Sequence, residues 1–89
     1  MAKIEVTNVL LYPLMTEKAV SLIETENKLT FIVDINSDKR MIKQAFEELY
    51  EVKVSEINVV ITPRGQKKAY IKLNAEYNAS DLAIKLGIL

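Results

Sequence analysis

The sequence predicts an α+β fold: a small antiparallel sheet around a split β-α-β unit, with elements in the order β-α-β-α-β-β-α. Three observations carry that prediction. Apolar residues alternate with period two over residues 28–35, 52–62 and 67–73, and they recur at helical spacing in three other stretches. The connection between the first two of these strands is long enough for a crossover, whereas Pro63-Arg64-Gly65-Gln66 between the last two is tight turn chemistry. A strand delivered by such a hairpin is placed most economically between the two strands that flank the crossover helix.

Each element has its own justification. Residues 4–12 alternate loosely through Ile4 and Val6, then become apolar at Val9, Leu10 and Leu11. They give a short strand closed by Pro13, which removes a ladder donor. Thr16 is a helix N-cap and Glu17 suits the positive end of the helix, with Ala19, Val20, Leu22 and Ile23 as its inward stripe. The helix fades into a polar turn over residues 24–27. In the next strand Leu29, Phe31, Val33 and Ile35 share one face, and Thr30, Ile32 and Asp34 the other. Asn36-Ser37-Asp38 is a capping cluster. The helix it opens, running to about Glu51, places Ile42, Ala45, Phe46, Leu49 and Tyr50 on one stripe. In the third strand Ile57, Val59 and Ile61 alternate against Asn58, Val60 and Thr62; in the fourth Ala69, Ile71 and Leu73 alternate against Lys68, Tyr70 and Lys72. Asn78 or Ser80 caps a last helix carrying Leu82, Ala83 and Leu86. Gly87 is a natural residue past its end, from which Ile88 and Leu89 fold back. Helices then cover one face of the sheet, with Phe31, Val59 and Ile71 in the core and the Lys68, Tyr70, Lys72 row on the less covered side.

Length and composition bound what such a fold does. The 89 residues make one domain, 1–89, near the lower size at which a core suffices without staples. No apolar run reaches the length of a signal sequence or a membrane span, so no membrane insertion is expected. Twelve basic and twelve acidic side chains cancel, whereas a protein that holds nucleic acid by bulk charge is clearly basic. The charges are nevertheless segregated. Positives gather at Lys39, Arg40 and Lys43 and again from Arg64 to Lys72; negatives gather at Glu24 and Glu26 and over residues 47–56. Screening confines each charge to its neighbourhood, so a basic face can bind while an acidic one stays in solvent.

Catalysis has little to stand on. There is no His and no Cys, which removes the commonest bases, nucleophiles and metal ligands. No nucleophile elbow or glycine-rich phosphate loop is present, so no cofactor, metal or small-molecule substrate is expected. Arg40 or Arg64 with Asn58 is an imaginable phosphate-ester site, but nothing in the spacing supports it. The chemistry that does stand out is PRGQKKAYIKL, residues 63–73, where Arg64, Lys67, Lys68, Tyr70 and Lys72 present cations around an aromatic. It reads either as an anion-binding strand or as an edge strand kept soluble by lysines. The helix opened by Asp38 has Lys39, Arg40 and Lys43 in its first turns and Glu47, Glu48 and Glu51 in its last, against its macrodipole. A phosphate at its N-terminus accounts for that order; so does an exposed helix indifferent to small penalties.

Three collinear motifs, PLMTEKA, DINSDKRMIKQAFEELYEVKVSEIN and ITPRGQKKAYIKL, resemble the universal large-subunit ribosomal protein family number twenty-three over about residues 9–89. The short turn at residues 63–66 is similar to archaeal and eukaryotic members, since bacterial ones carry a long hairpin extension there, and the ending IKLGIL is similar to archaeal ones. The resemblance implies a cytoplasmic, non-enzymatic protein bound to large-subunit rRNA and to neighbouring ribosomal proteins beside the polypeptide exit tunnel. It also implies a docking surface for the signal recognition particle and the translocation channel. Carried onto this sequence, rRNA contacts fall on Thr16, Lys18, Lys39, Arg40, Lys43, Arg64, Lys67, Lys68, Tyr70 and Lys72, and a factor-docking role falls on Glu17. The departure is charge: family members are usually basic, and this chain is neutral. The alternatives are a free-standing single-stranded RNA reader of ferredoxin-like shape, which needs stacking aromatics on an open face, and a protein-interaction domain that pairs through its sheet edge.

Overall fold

The computed structural model describes residues 9–87; the expectations for Ile4, Val6, Ile88 and Leu89 lie outside them. The described elements are β1 (Leu10–Pro13), α1 (Glu17–Glu26), β2 (Lys28–Val33), α2 (Lys39–Tyr50), β3 (Val54–Ile61), β4 (Lys67–Leu73) and α3 (Ala79–Lys85). The four strands form one antiparallel sheet in the order β1-β2-β4-β3. β4 does insert between β2 and β3, the two strands flanking α2. A three-residue loop fixes its place beside β3, and long-range pairing joins it to β2. Gly65 takes φ 81°, its N–H donates to the Thr62 carbonyl, and the Thr62 N–H donates to the Gln66 carbonyl. That is a type I turn closed by a left-handed residue, the conformation glycine adopts without steric cost.

Caps set the helix ends. The Thr16 hydroxyl accepts from the Ala19 N–H at 3.2 Å and the Asp38 carboxylate accepts from the Met41 N–H at 2.8 Å. Of the two candidates for α3, Asn78 is the cap, accepting from the N–H groups of Ser80 and Asp81. α1 and α2 both end on non-glycine residues in the left-handed region, Asn27 at φ 57° and Glu51 at φ 54°.

All three helices contribute buried residues to one core. Leu29, Phe31 and Val33 of β2 and Ala69, Ile71 and Leu73 of β4 bury against Ile23 of α1, Ile42, Ala45 and Phe46 of α2, and Leu82 and Ala83 of α3. Phe46 meets Phe31 edge-on at 5.6 Å between ring centroids and Tyr50 at 4.8 Å, geometries that favour aromatic pairs. Burial also pushes the Tyr50 phenol above its ordinary pKa. Three residues of the expected inward faces are not in it. Leu49 is 47% exposed, Ile35 48% and Ile61 58%. β2 stops at Val33, so Ile35 falls in the turn that leads to Asp38 and escapes the strand's alternation.

Candidate nucleic-acid interface

Antiparallel register sorts side chains onto the two faces of the sheet. On the side away from the helices three cross-strand rows form: Lys28–Lys72–Glu56, Thr30–Tyr70–Asn58 and Ile32–Lys68–Val60. A bulge in β1 between Leu10 and Tyr12 puts Tyr12 beside Ile32, at the rim of the same face. There the Gln66 amide donates to the Tyr12 hydroxyl at 2.9 Å, tying β1 to the turn that carries Arg64.

The centre of this face is an aromatic set among cations. The Lys68 ammonium lies 5.6 Å from the centroid of the Tyr70 ring, within range of a cation–π contact. Lys72 and Tyr70 stand in adjoining rows. Among the described residues the one ion pair is Lys28 with Glu26 at 3.1 Å, so neither Lys68 nor Lys72 has a carboxylate partner. Glu56 sits across from Lys72, but its carboxylate accepts from the Asn58 amide at 3.2 Å instead. Thr30, across from Tyr70, is only 3% exposed, and its hydroxyl has no hydrogen-bond partner among the described residues.

The residues singled out in sequence therefore divide. Lys68, Tyr70 and Lys72 share the open face, and Arg64 is exposed at the turn beyond it. Lys67 belongs by alternation to the opposite face. Its ammonium donates to the Ser37 carbonyl, and the Ser37 hydroxyl donates to the Asp34 carbonyl at 2.6 Å, so Lys67 braces the turn into α2. Lys39, Arg40 and Lys43 lie on the helix side, where they line a groove with Val54, Ser55, Glu56 and Ile57 of β3. The N-terminus of α2 already holds an anion, the Asp38 carboxylate. Thr16, Glu17 and Lys18 are exposed at the start of α1, with the Thr16 hydroxyl engaged as a cap.

Sequence reading alone did not include Lys28, Thr30 or Tyr12 in this surface. Only register brings Lys28 beside Lys72, and only the bulge turns Tyr12 to the open side. No group of three or more His, Cys, Asp or Glu residues is placed to hold a metal among the described residues. No helix among them is long and apolar enough to cross a membrane.

An α+β module that sets lysines around a tyrosine on the sheet face away from its core, with Thr30 and Ile32 of β2 buried there, belongs to the class of small binding scaffolds. Comparison with known proteins gives the family. The model of the family described as Ribosomal protein L23 matches residues 8–81. The chain is 56% identical over 75 residues to the large ribosomal subunit protein uL23 of Pyrobaculum aerophilum, covering 84% of this chain and 93% of that protein. It is 49% identical over 85 residues to the large ribosomal subunit protein uL23c of Spinacia oleracea, covering 96% of this chain but 43% of the spinach protein. This chain belongs to the ribosomal protein L23 family and is an archaeal-type member of it. It is accordingly a structural protein of the ribosome and not an enzyme, in a family for which RNA binding is typical.

Proposed function

We propose that this protein is a structural constituent of the large ribosomal subunit, in the cytoplasm, and that it holds large-subunit rRNA against the open face of its sheet. The observation that carries this reading is the Lys28, Lys68, Tyr70, Lys72 surface, on the face away from the helical core and, among the described residues, without carboxylate partners at Lys68 and Lys72. Lysines supply phosphate contacts that position the chain, and the tyrosine ring offers a stacking surface. The short turn at residues 63–66 keeps Arg64 close to this face. Resemblance to the family supports a position beside the polypeptide exit tunnel, among neighbouring ribosomal proteins. The start of α1, where Met15 and Glu17 are exposed, is the proposed docking surface for nascent-chain factors such as the signal recognition particle, with the translocation channel nearby.

The test is binding to a large-subunit rRNA fragment as a function of salt. Four cations, Lys28, Arg64, Lys68 and Lys72, give an expected log–log slope of about −3. Lys68→Ala with Lys72→Ala lowers affinity and brings the slope to about −1.5 while leaving the fold intact. Binding that ignores salt, or that the double variant leaves unchanged, overturns the reading. Tyr70→Leu separates stacking from charge: it weakens binding with no change in slope.

A further inference from the structure

We propose that the outer edge of β3 docks an extended, acidic segment of another protein, added to the sheet as a fifth strand. Among the described residues β3 ends the sheet on one side. Because the Thr62 N–H bonds to Gln66, alternation along the ladder makes Val60–Lys68 and Asn58–Tyr70 the hydrogen-bonded pairs. The N–H and C=O groups of Ile57, Val59 and Ile61 then point outward, away from β4. They form an open edge of roughly five residues, about 14 Å long at the usual strand rise.

This edge carries almost none of the devices that keep edges closed. The other edge strand, β1, is four residues long and ends in proline. β3 is eight residues long, VSEINVVI, with neither lysine nor proline, and exposes Val60 (45%) and Ile61 (58%). Its protection is confined to its first residues. A bulge falls between Val54 and Glu56, and the outward Val54 N–H is capped by the Glu47 carboxylate at 2.8 Å. Glu47 thereby marks where an added strand stops.

The chemistry of the edge selects the occupant. Outward carbonyls alternate with outward N–H groups, so the partner must supply donors and acceptors in step. A peptide backbone does; phosphate groups offer acceptors alone and meet the carbonyls repulsively, which leaves RNA only its ribose 2′-hydroxyls as backbone donors. Residues paired with Ile57, Val59 and Ile61 project on the helix side of the sheet. There Lys39, Arg40 and Lys43 line the groove beside Val54–Ile57, with no ion-pair partner among the described residues, so the end of the partner segment that pairs at Ile57 is the acidic one. A second copy is disfavoured, because antiparallel β3–β3 pairing sets two such lysine and arginine clusters on the same side of one sheet. The reading is independent of the open face and goes beyond rRNA binding.

The experiment uses the full, isotope-labelled chain and, as the probe, a synthetic decapeptide of alternating Glu and Thr. Amide exchange at Ile57, Val59 and Ile61 is expected to slow by about tenfold or more at saturating peptide. The Asn58 and Val60 amides, already bonded to β4, are expected to change little. Val59→Pro removes an outward donor without breaking a ladder bond and is expected to weaken binding about tenfold. Should that variant fail to fold, Lys39→Glu with Lys43→Glu serves instead, and is expected to shift preference to an alternating Lys and Thr peptide. The proposal is overturned if exchange at the three amides is unchanged, or if the basic peptide binds the native chain equally well. It is equally overturned if oligouridylate protects the same amides, which assigns the edge to RNA. Concentration-dependent dimerisation that protects them without peptide overturns it too, by assigning the edge to a second copy. None of these outcomes bears on Lys68, Tyr70 or Lys72, which lie on the other face.

Discussion

Replacing Asn27 isolates the joint that holds the lower end of the candidate surface. Asn27 closes α1 in the left-handed region, φ 57° and ψ 37°, with its N–H donating to the Leu22 carbonyl. Its carbonyl accepts from the Leu73 N–H at 3.1 Å. Its side chain accepts from the Ala79 N–H at 2.7 Å and donates to the carbonyls of Tyr77 at 2.9 Å and Leu73 at 3.3 Å. One residue thus ties α1, the end of β4 and the start of α3 together, next to Lys28 and Lys72. Asn27→Gly keeps the backbone conformation and loses the side-chain bonds. Two are well formed and one is long, so at about 1 kcal/mol each the loss is about 2 kcal/mol. Asn27→Ala adds the left-handed penalty of about 1 kcal/mol, for a total of about 3 kcal/mol. In a domain of this size those losses lower Tm by roughly 10 and 15–20 °C. Urea unfolding of the three proteins is therefore expected to rank native above Gly above Ala, with equal slopes. The reasoning fails if both variants lie within about 0.5 kcal/mol of the native chain, or if Ala exceeds Gly.

Three further outcomes follow from individual sites. Thr30→Val replaces a buried hydroxyl, unpartnered among the described residues, by a methyl of the same shape. It is expected to raise stability by about 1 kcal/mol in thermal unfolding, and a loss of stability would show that the hydroxyl is bonded. Glu51→Gly relieves a side chain held at φ 54° and is expected to stabilise by about 0.5–1 kcal/mol, after the glycine's unfolded-state entropy is offset. Tyr50 keeps its proton more tightly when folded, because burial opposes the phenolate. Its contribution is complete below about pH 10 and declines as pH rises through the raised folded value. Tyr50→Phe is expected to flatten that alkaline fall in stability, and identical alkaline profiles for the two proteins would exclude it.

Much of the architecture was legible because it rests on short-range physics. The alternation in residues 67–73, the turn at Pro63-Arg64-Gly65 and the caps at Thr16, Asp38 and Asn78 are decided within a few residues, and each is found where expected. Periodicity assigns Ile35, Leu49 and Ile61 to inward faces, yet all three are exposed, because it extends a pattern past the point where pairing or packing stops. The candidate surface was half legible. Lys68, Tyr70 and Lys72 follow from alternation alone. Lys67 sits one residue away and serves α2 instead, through Ser37.

The sequence by itself determined the order of elements, the turn that places β4 beside β3, the family, and a basic row beside a tyrosine. Those depend on local dihedral preference and side-chain period. Tertiary structure decided which charges act together. Register set Lys28 beside Lys72 and Glu56 across from it, and a bulge turned Tyr12 toward them. The crossover carried Lys39, Arg40 and Lys43 to the opposite side of β3. Charges far apart in the chain become neighbours only through strand pairing and helix packing, and the chain's net neutrality conceals the two basic surfaces that result.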